Sequence, residues 1–232
     1  MKLKQLSIGF GELRKMGSIG DDTKIAADYT VANWKSDRQH LINVGDAVHW
    51  KYAFNIFHTR IKTRFLSPIE TILASDKEVG EGFTIVAIQC ILVEFLAAFY
   101  FGKVYVSRQC DSAKALADHE YSSSTGLVVD FLTTCEPFKS SFTTRQIARD
   151  FFSDFRCGLL HEAATKKSAK IKVSDSDTDP AIKKETGEFI LYRNIFQSAI
   201  LEYLQKYREE LLTSKKLQCS FLRKMDDICQ IK

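Results

Sequence analysis

The sequence predicts an all-α helical bundle carrying one small β-hairpin insertion, and three observations predict it. From Phe83 to Phe101 the chain is apolar throughout, with Glu94 its only charge. From Asn194 to Leu212 the residues Ile195, Phe196, Ile200, Tyr203, Leu204 and Leu211 fall near one face of a helix. Strand-like alternation is confined to Lys170-Ile171-Lys172-Val173 and, more loosely, Glu188-Phe189-Ile190-Leu191. Between these two runs lies Ser174-Asp175-Ser176-Asp177-Thr178-Asp179-Pro180, a polar loop, so the pair predicts a β-hairpin at about 169–191.

Taken in order, residues 1–24 contain four glycines and mixed charge without a sustained period, which predicts an irregular N-terminal arm. One helical domain is expected over 25–232. Its first helical stretch runs from about Ile25 to Phe65, with Val44, Val48, Phe54, Ile56, Phe57 and Ile61 as the buried stripe. Ser67-Pro68-Ile69-Glu70 combines a serine N-cap, a proline at N1 and a glutamate at N3, and starts a short helix to about Leu73.

A loop from Lys77 to Gly82 leads into the long apolar helix, which Gly102 ends. Gln109 to Ser124 is a polar loop with some helix. Gly126 to Cys135 forms the next helix, closed by Pro137. Thr143-Thr144-Arg145-Gln146 resembles a capping box and starts the helix carrying Phe151, Phe152 and Phe155. C-terminal helices fill 192–230, the last from Leu217 to Ile228.

Composition narrows the function classes. Charged residues make up 27% and the net charge is +4, which permits nucleic-acid binding without arguing for it. Cys90, Cys110, Cys135, Cys157, Cys219 and Cys229 form no C-x-x-C pair and share no spacing with histidine, so neither a metal nor another cofactor is implied. The opening Met1-Lys2-Leu3-Lys4-Gln5 has no signal-peptide pattern, and a cytoplasmic protein is expected. Phe83–Phe101 is long enough to span a bilayer, but a mid-membrane Glu94 would cost roughly 2.5–3.5 kcal/mol. A helix apolar on all sides equally suits the centre of a bundle, and no membrane association is expected.

The stretch richest in chemistry is Phe151-Phe152-Ser153-Asp154-Phe155-Arg156-Cys157-Gly158-Leu159-Leu160-His161-Glu162. An arginine and a histidine separated by four residues sit in an apolar segment, a guanidinium and a proton carrier suited to phosphate. Five positions at about 100° each put the two about 140° apart on a straight helix. Gly158 permits a kink, and a second copy of the chain can complete the site, so a composite homodimeric site is expected. The spacing alone is unspecific.

R-x4-H late in a helical chain, with a glycine inside it and an acidic residue after it, resembles the HEPN superfamily of small helical ribonucleases. Gly82-Phe83-Thr84-Ile85-Val86-Ala87 through Leu92-Val93-Glu94-Phe95-Leu96 resembles the central helix of its bacterial, Apea-like branch. Tyr192-Arg193-Asn194-Ile195-Phe196, on to Tyr203 and Tyr207, resembles the helix after the motif. The resemblance spans roughly Gly80 to Leu212.

It implies a metal-independent endoribonuclease working by 2′-hydroxyl attack, in which His161 moves a proton and Arg156 holds the scissile phosphate. The settings it implies are toxin–antitoxin pairs and phage defence, with an antitoxin or defence partner protein. Glu94, on the helix expected to border the motif, would orient Arg156, against the plainer reading of a structural partner such as Tyr192 or Arg193. Glu162 would tune His161, although a surface role is the simpler reading.

Cys157 departs from the family, where a polar residue, commonly asparagine, follows the arginine; a thiol is a poor donor. Lys166, Lys167, Lys170 and Lys172 form a basic run that would track RNA, or else protect a solvated strand edge. Three competing readings stand beside this one: a catalytically inactive HEPN scaffold for dimerisation or RNA binding, a Cys157–His161 nucleophilic enzyme, and a single-pass membrane protein.

Overall fold

Capping chemistry sets the first elements. The structure, a computed structural model, describes residues 19–75, 80–107, 115–185 and 187–231. Most of the expected N-terminal arm therefore lies outside the described residues. A two-stranded antiparallel pair, β1 (Lys24–Ala26) and β2 (Tyr29–Thr30), occupies the start of the stretch expected to be helical. Helix α1 (Val31–Asn43) begins only after it, with Thr30 and Asn33 forming a reciprocal capping box.

Gly45, at φ +54°, then reverses the chain; a Cβ there would lie 2.6 Å from the Leu41 carbonyl. Asp46 caps α2 (Ala47–Ile61) by accepting from the amides of Val48 and His49. The reversal corrects the expected stripe. Phe54, Phe57 and Ile61 are buried, but Val44 and Val48 are 61% and 73% exposed at the turn.

Ser67 is not an N-cap. Its φ and ψ are helical, and α2 continues through a π turn (Lys62–Leu66) into α3 (Ser67–Leu73). The cause is Pro68. It lacks the N–H that would reach Arg64, and its ring would strike that carbonyl in a regular helix. The wider turn, in which the Ser67 amide reaches back to Lys62, relieves both problems.

Helix α4 (Glu81–Phe101) is the centre of the fold and ends at Gly102, φ +61°, where a Cβ would come within 2.7 Å of Ser220 Cα. It is the one described helix long and apolar enough to cross a membrane, and 56% of its apolar window is buried inside the protein. Gln89, fully buried, donates to the Arg193 carbonyl and to Gln197 Oε1, each at 3.0 Å. Around α4 pack α5 (Ser124–Thr134), α9 (Arg193–Leu211) and α10 (Lys215–Ile228). Phe57, Phe99, Tyr207 and Phe221 pack in tilted and edge-on contacts at their junction, with Phe57 and Phe99 centroids 4.5 Å apart.

Short strands β3 (Val104–Tyr105) and β4 (Glu120–Tyr121) pair in parallel; β4 falls within the Gln109–Ser124 stretch expected to be a loop with some helix, of which 109–114 lie outside the described residues. Helix α6 (Phe138–Ser141) follows α5, and α7 (Arg145–Phe151) is capped by Thr144, one residue later than the capping-box pattern placed it. Helix α7 runs through a second π turn (Phe152–Cys157) into α8 (Gly158–Glu162).

The insertion is a three-stranded mixed sheet, not a simple hairpin. Strands β5 (Ala169–Lys172), β6 (Ile182–Glu185) and β7 (Glu188–Tyr192) lie in the order β5-β7-β6. The two runs expected to form the hairpin are neighbours, but β5 is parallel to β7, and β6 is the antiparallel partner. Its Lys183-Lys184-Glu185 is too polar to show a strand period. The architecture is largely α-helical, with these small sheets at its edge.

Candidate functional site

The motif helix widens into a π turn where the chain that follows folds back onto it. After α8, residues 163–168 fold back over the helix, and the Lys166 amide donates to the Asp154 carbonyl at 2.9 Å. That carbonyl is free because the Gly158 amide bonds to Phe155 instead. Gly158 itself is required by the close approach: a Cβ there would lie 2.4 Å from the Ala164 carbonyl oxygen. The π turn and the glycine are thus two sides of one contact.

This turn presents Arg156 to α4. Arg156 Nη2 donates to Glu94 Oε2 at 2.9 Å, and the two side chains are only 21% and 20% exposed. The guanidinium also lies 5.0 Å from the centroid of Phe152, a cation–π contact. Ser124, at the start of α5, donates to the other carboxylate oxygen of Glu94. Burial works against the Arg156 charge, but the hydrogen bond and charge of Glu94 outweigh it and hold the pKa above its ordinary value. Arg156 Nε is buried without a hydrogen-bond partner.

Two further groups complete the cluster. Tyr121, half-buried on β4, has its phenol pushed up to about 12, first by burial and then by the Glu94 charge. Cys90, one turn before Glu94, is buried, and burial pushes its thiol up to about 12. Cys157 is half-buried beside Arg156.

His161 stands elsewhere. It is exposed near the end of α8, and its side chain makes no hydrogen bond to Arg156 or to any other described group. Glu162 is exposed and pairs with Lys166 at 2.9 Å; that hydrogen bond and charge hold its carboxyl below the usual range, with a smaller contribution from His161. Leu160, 38% exposed, and Ile91, 44% exposed and three residues before Glu94, leave apolar surface on the two helices that carry the pair.

The four lysines of the basic run are each engaged by a carboxylate. Lys166 meets Glu162, Lys167 lies 3.1 Å from the buried Asp154, and Lys170 and Lys172 share Glu188. Arg193, an alternative partner for Glu94, pairs with Glu81 at the start of α4. Among the described residues no group of three or more His, Cys, Asp or Glu side chains is placed to hold a metal ion.

The candidate residues therefore separate into a clamped trio, Glu94–Arg156–Cys157, and an exposed His161–Glu162 end. Sequence reasoning missed Ser124, Tyr121 and Phe152 as members of the cluster. The signal for the first two was Tyr121-Ser122-Ser123-Ser124, a polar run before an apolar helix. Comparison of the chain with family models, curated proteins and solved structures finds no match to any of them.

Proposed function

We propose that the protein is a HEPN-like ribonuclease that cleaves RNA without a metal, using Arg156 and His161 from two copies of the chain. The observation that carries this reading is the contrast within one short helix: an arginine oriented by a half-buried carboxylate, and a histidine left in solvent five residues on. A core histidine would be packed or hydrogen-bonded; His161 is neither. Exposed Ile91 and Leu160 supply apolar surface on which a second copy would bring its own motif close.

In this scheme the 2′-hydroxyl of one nucleotide attacks the adjacent phosphorus. A new P–O2′ bond forms and the P–O5′ bond breaks. One His161 takes the hydroxyl proton and the partner's His161 gives a proton to the departing O5′. Arg156 offsets the extra negative charge of the phosphorane, and Glu94 keeps the guanidinium aligned. Cys157, a weak donor, adds little to phosphate binding. The toxin–antitoxin or phage-defence setting and a cytoplasmic location rest on the family resemblance.

A second reading, an inactive scaffold of the same family, is favoured by one observation: Glu94 already occupies Nη2 of Arg156. Incubating purified protein with total RNA separates the two. The active reading expects cleavage that survives EDTA and leaves 2′,3′-cyclic phosphate or 3′-phosphate ends, lost by roughly 10²–10³-fold in Arg156→Ala and in His161→Ala. Full activity in either variant, or EDTA-sensitive cleavage leaving 3′-hydroxyl ends, overturns it.

A further inference from the structure

Between Asp46 and Glu70 the chain has no acidic residue, yet it carries Lys51, Arg60, Lys62 and Arg64. Two of these cations are turned toward the first strand: Arg60 and Arg64 both donate to the Ile25 carbonyl, and Arg60 lies over the Phe95 ring. The others share a face. Lys51, Asn55, His58 and Lys62 follow one another at spacings of four, three and four, which stacks them along one side of α2.

The middle of that side, Asn55 and His58, faces Leu201, Gln205 and Arg208 of α9 across a groove of about 310 Å³. Buried Phe54 and Leu204 form its floor, while Asn55 and His58 on one wall and Gln205 and Arg208 on the other stand above it. Among the described residues, Lys51, Lys62 and Arg208 form no ion pair. The contrast with the lysines after the motif is direct, since each of those is matched by a carboxylate. Burial, then the positive charges of Lys62 and Arg208, lower the His58 pKa, and no acidic group offsets them there.

Arg208 on the wall of a groove with an apolar floor, Lys62 close enough to act on His58, and two amides between them fit an extended chain of phosphates better than a flat anionic surface. Arg208 stands on the wall with Lys62 beyond His58, and only something narrow reaches the floor. We propose that the groove between α2 and α9 binds the sugar–phosphate backbone of single-stranded RNA, a site separate from the Arg156–Glu94 cluster. This rests on the ribonuclease reading above. Helix α4 packs against both α9 and the motif's π turn, and no residue that lines the groove belongs to the Arg156–Glu94 cluster. The groove therefore contributes affinity for the strand and takes no part in the chemistry.

The test uses a 5′-labelled single-stranded RNA with 2′-O-methyl groups, which cannot supply the nucleophile, so that binding is read by fluorescence anisotropy without cleavage. Lys62→Ala and Arg208→Ala, both on exposed side chains, are each expected to weaken binding roughly tenfold. The salt slope should fall by about 0.7 for each phosphate that a variant no longer neutralises. Lys170→Ala with Lys172→Ala is expected to change binding by less than about twofold, because those side chains are already paired. On unmodified RNA the groove variants should raise KM and leave kcat unchanged.

Unchanged binding in Lys62→Ala and Arg208→Ala, with wild-type cleavage intact, overturns the groove and leaves the ribonuclease reading standing. Competition by a mononucleotide or inorganic phosphate without binding of the strand overturns the assignment to RNA. Strand binding lost in the groove variants, from a wild type that cleaves no RNA, supports the groove and overturns the ribonuclease reading.

Discussion

The two π turns differ in what makes them and in what they expose. The turn at Lys62–Leu66 is imposed from within its own helix by Pro68, and Thr63 adds to it by donating back to the Thr59 carbonyl. Its Lys62 and Thr63 stand exposed to solvent. The turn at Phe152–Cys157 is imposed from outside, by the returning chain that takes the Asp154 carbonyl. There Phe152, Asp154 and Phe155 are buried and Arg156 is clamped to another helix. A widened turn is therefore not in itself a functional mark. What distinguishes the second is that tertiary contacts hold it and a charged partner fixes its arginine.

Glu94→Ala is the strongest way to break that difference. It removes the acceptor for Arg156 and Ser124 and leaves a half-buried guanidinium unpaired. We expect a loss of roughly 2–3 kcal/mol in urea unfolding, set by a charge-assisted hydrogen bond in a partly exposed site. RNA cleavage should fall with it. Wild-type stability together with wild-type cleavage would reduce the pair to an incidental contact.

Gly158→Ala attacks the external cause of the second turn. The new methyl would meet the Ala164 carbonyl, which is backbone and cannot swing aside. A cost of roughly 1–3 kcal/mol for overpacking exceeds the helix gain of roughly 0.5–1 kcal/mol from replacing glycine. The net expectation is a lower thermal midpoint and weaker amide protection at Lys166 in hydrogen exchange. A stabilised variant would mean that the loop after α8 yields freely.

Tyr121 sharpens the comparison through pH. Its pKa of about 12, against an ordinary 10.0, means that the folded state holds the phenolic proton longer than the unfolded state. The contribution to stability is present in full below about pH 10 and is lost as pH rises to about 12. Chemical-denaturant midpoints should fall over that window, and less steeply in Tyr121→Phe. Tyr29, Tyr100, Tyr203 and Tyr207 and the thiols of Cys90, Cys135 and Cys229, all raised first by burial, contribute to the remaining slope. An identical slope in the variant would mean that neither burial nor the Glu94 charge raises Tyr121.

Pro68→Ala should have the smallest effect. It restores an N–H and permits a regular helix, while giving back freedom to the unfolded chain. These oppose each other, so a net change under about 1 kcal/mol is expected by differential scanning calorimetry, with cleavage unaffected. A loss above about 2 kcal/mol would show that Pro68 anchors α3 by packing.

Much of the helical framework is legible without coordinates. The apolar run ending at Gly102, the stripe of α9, and the apolar segment before Pro137 all announce their elements through local composition. A lone carboxylate in an apolar helix also announces that it needs a partner, as Glu94 does. The identity of that partner is not legible, because Arg156 lies 62 residues away and the turn that aims it depends on a loop further on. Ser67 illustrates the opposite failure. Its local pattern reads as a helix start, but Leu66 and Ile69 are buried on the same continuous helix, and burial overrides the cap.

By itself, the sequence determined where the longest helices lie, how apolar the central one is, and which residue types capable of phosphate chemistry stand close together along the chain. These follow from periodicity and capping, which are local. Only the tertiary structure decided that β5 runs parallel to β7, that Val44 and Val48 face solvent, that Glu94 meets Arg156, and which lysines are already neutralised. Each depends on what lies opposite in space, and the energies of burial and ion pairing exist only once distant segments have met.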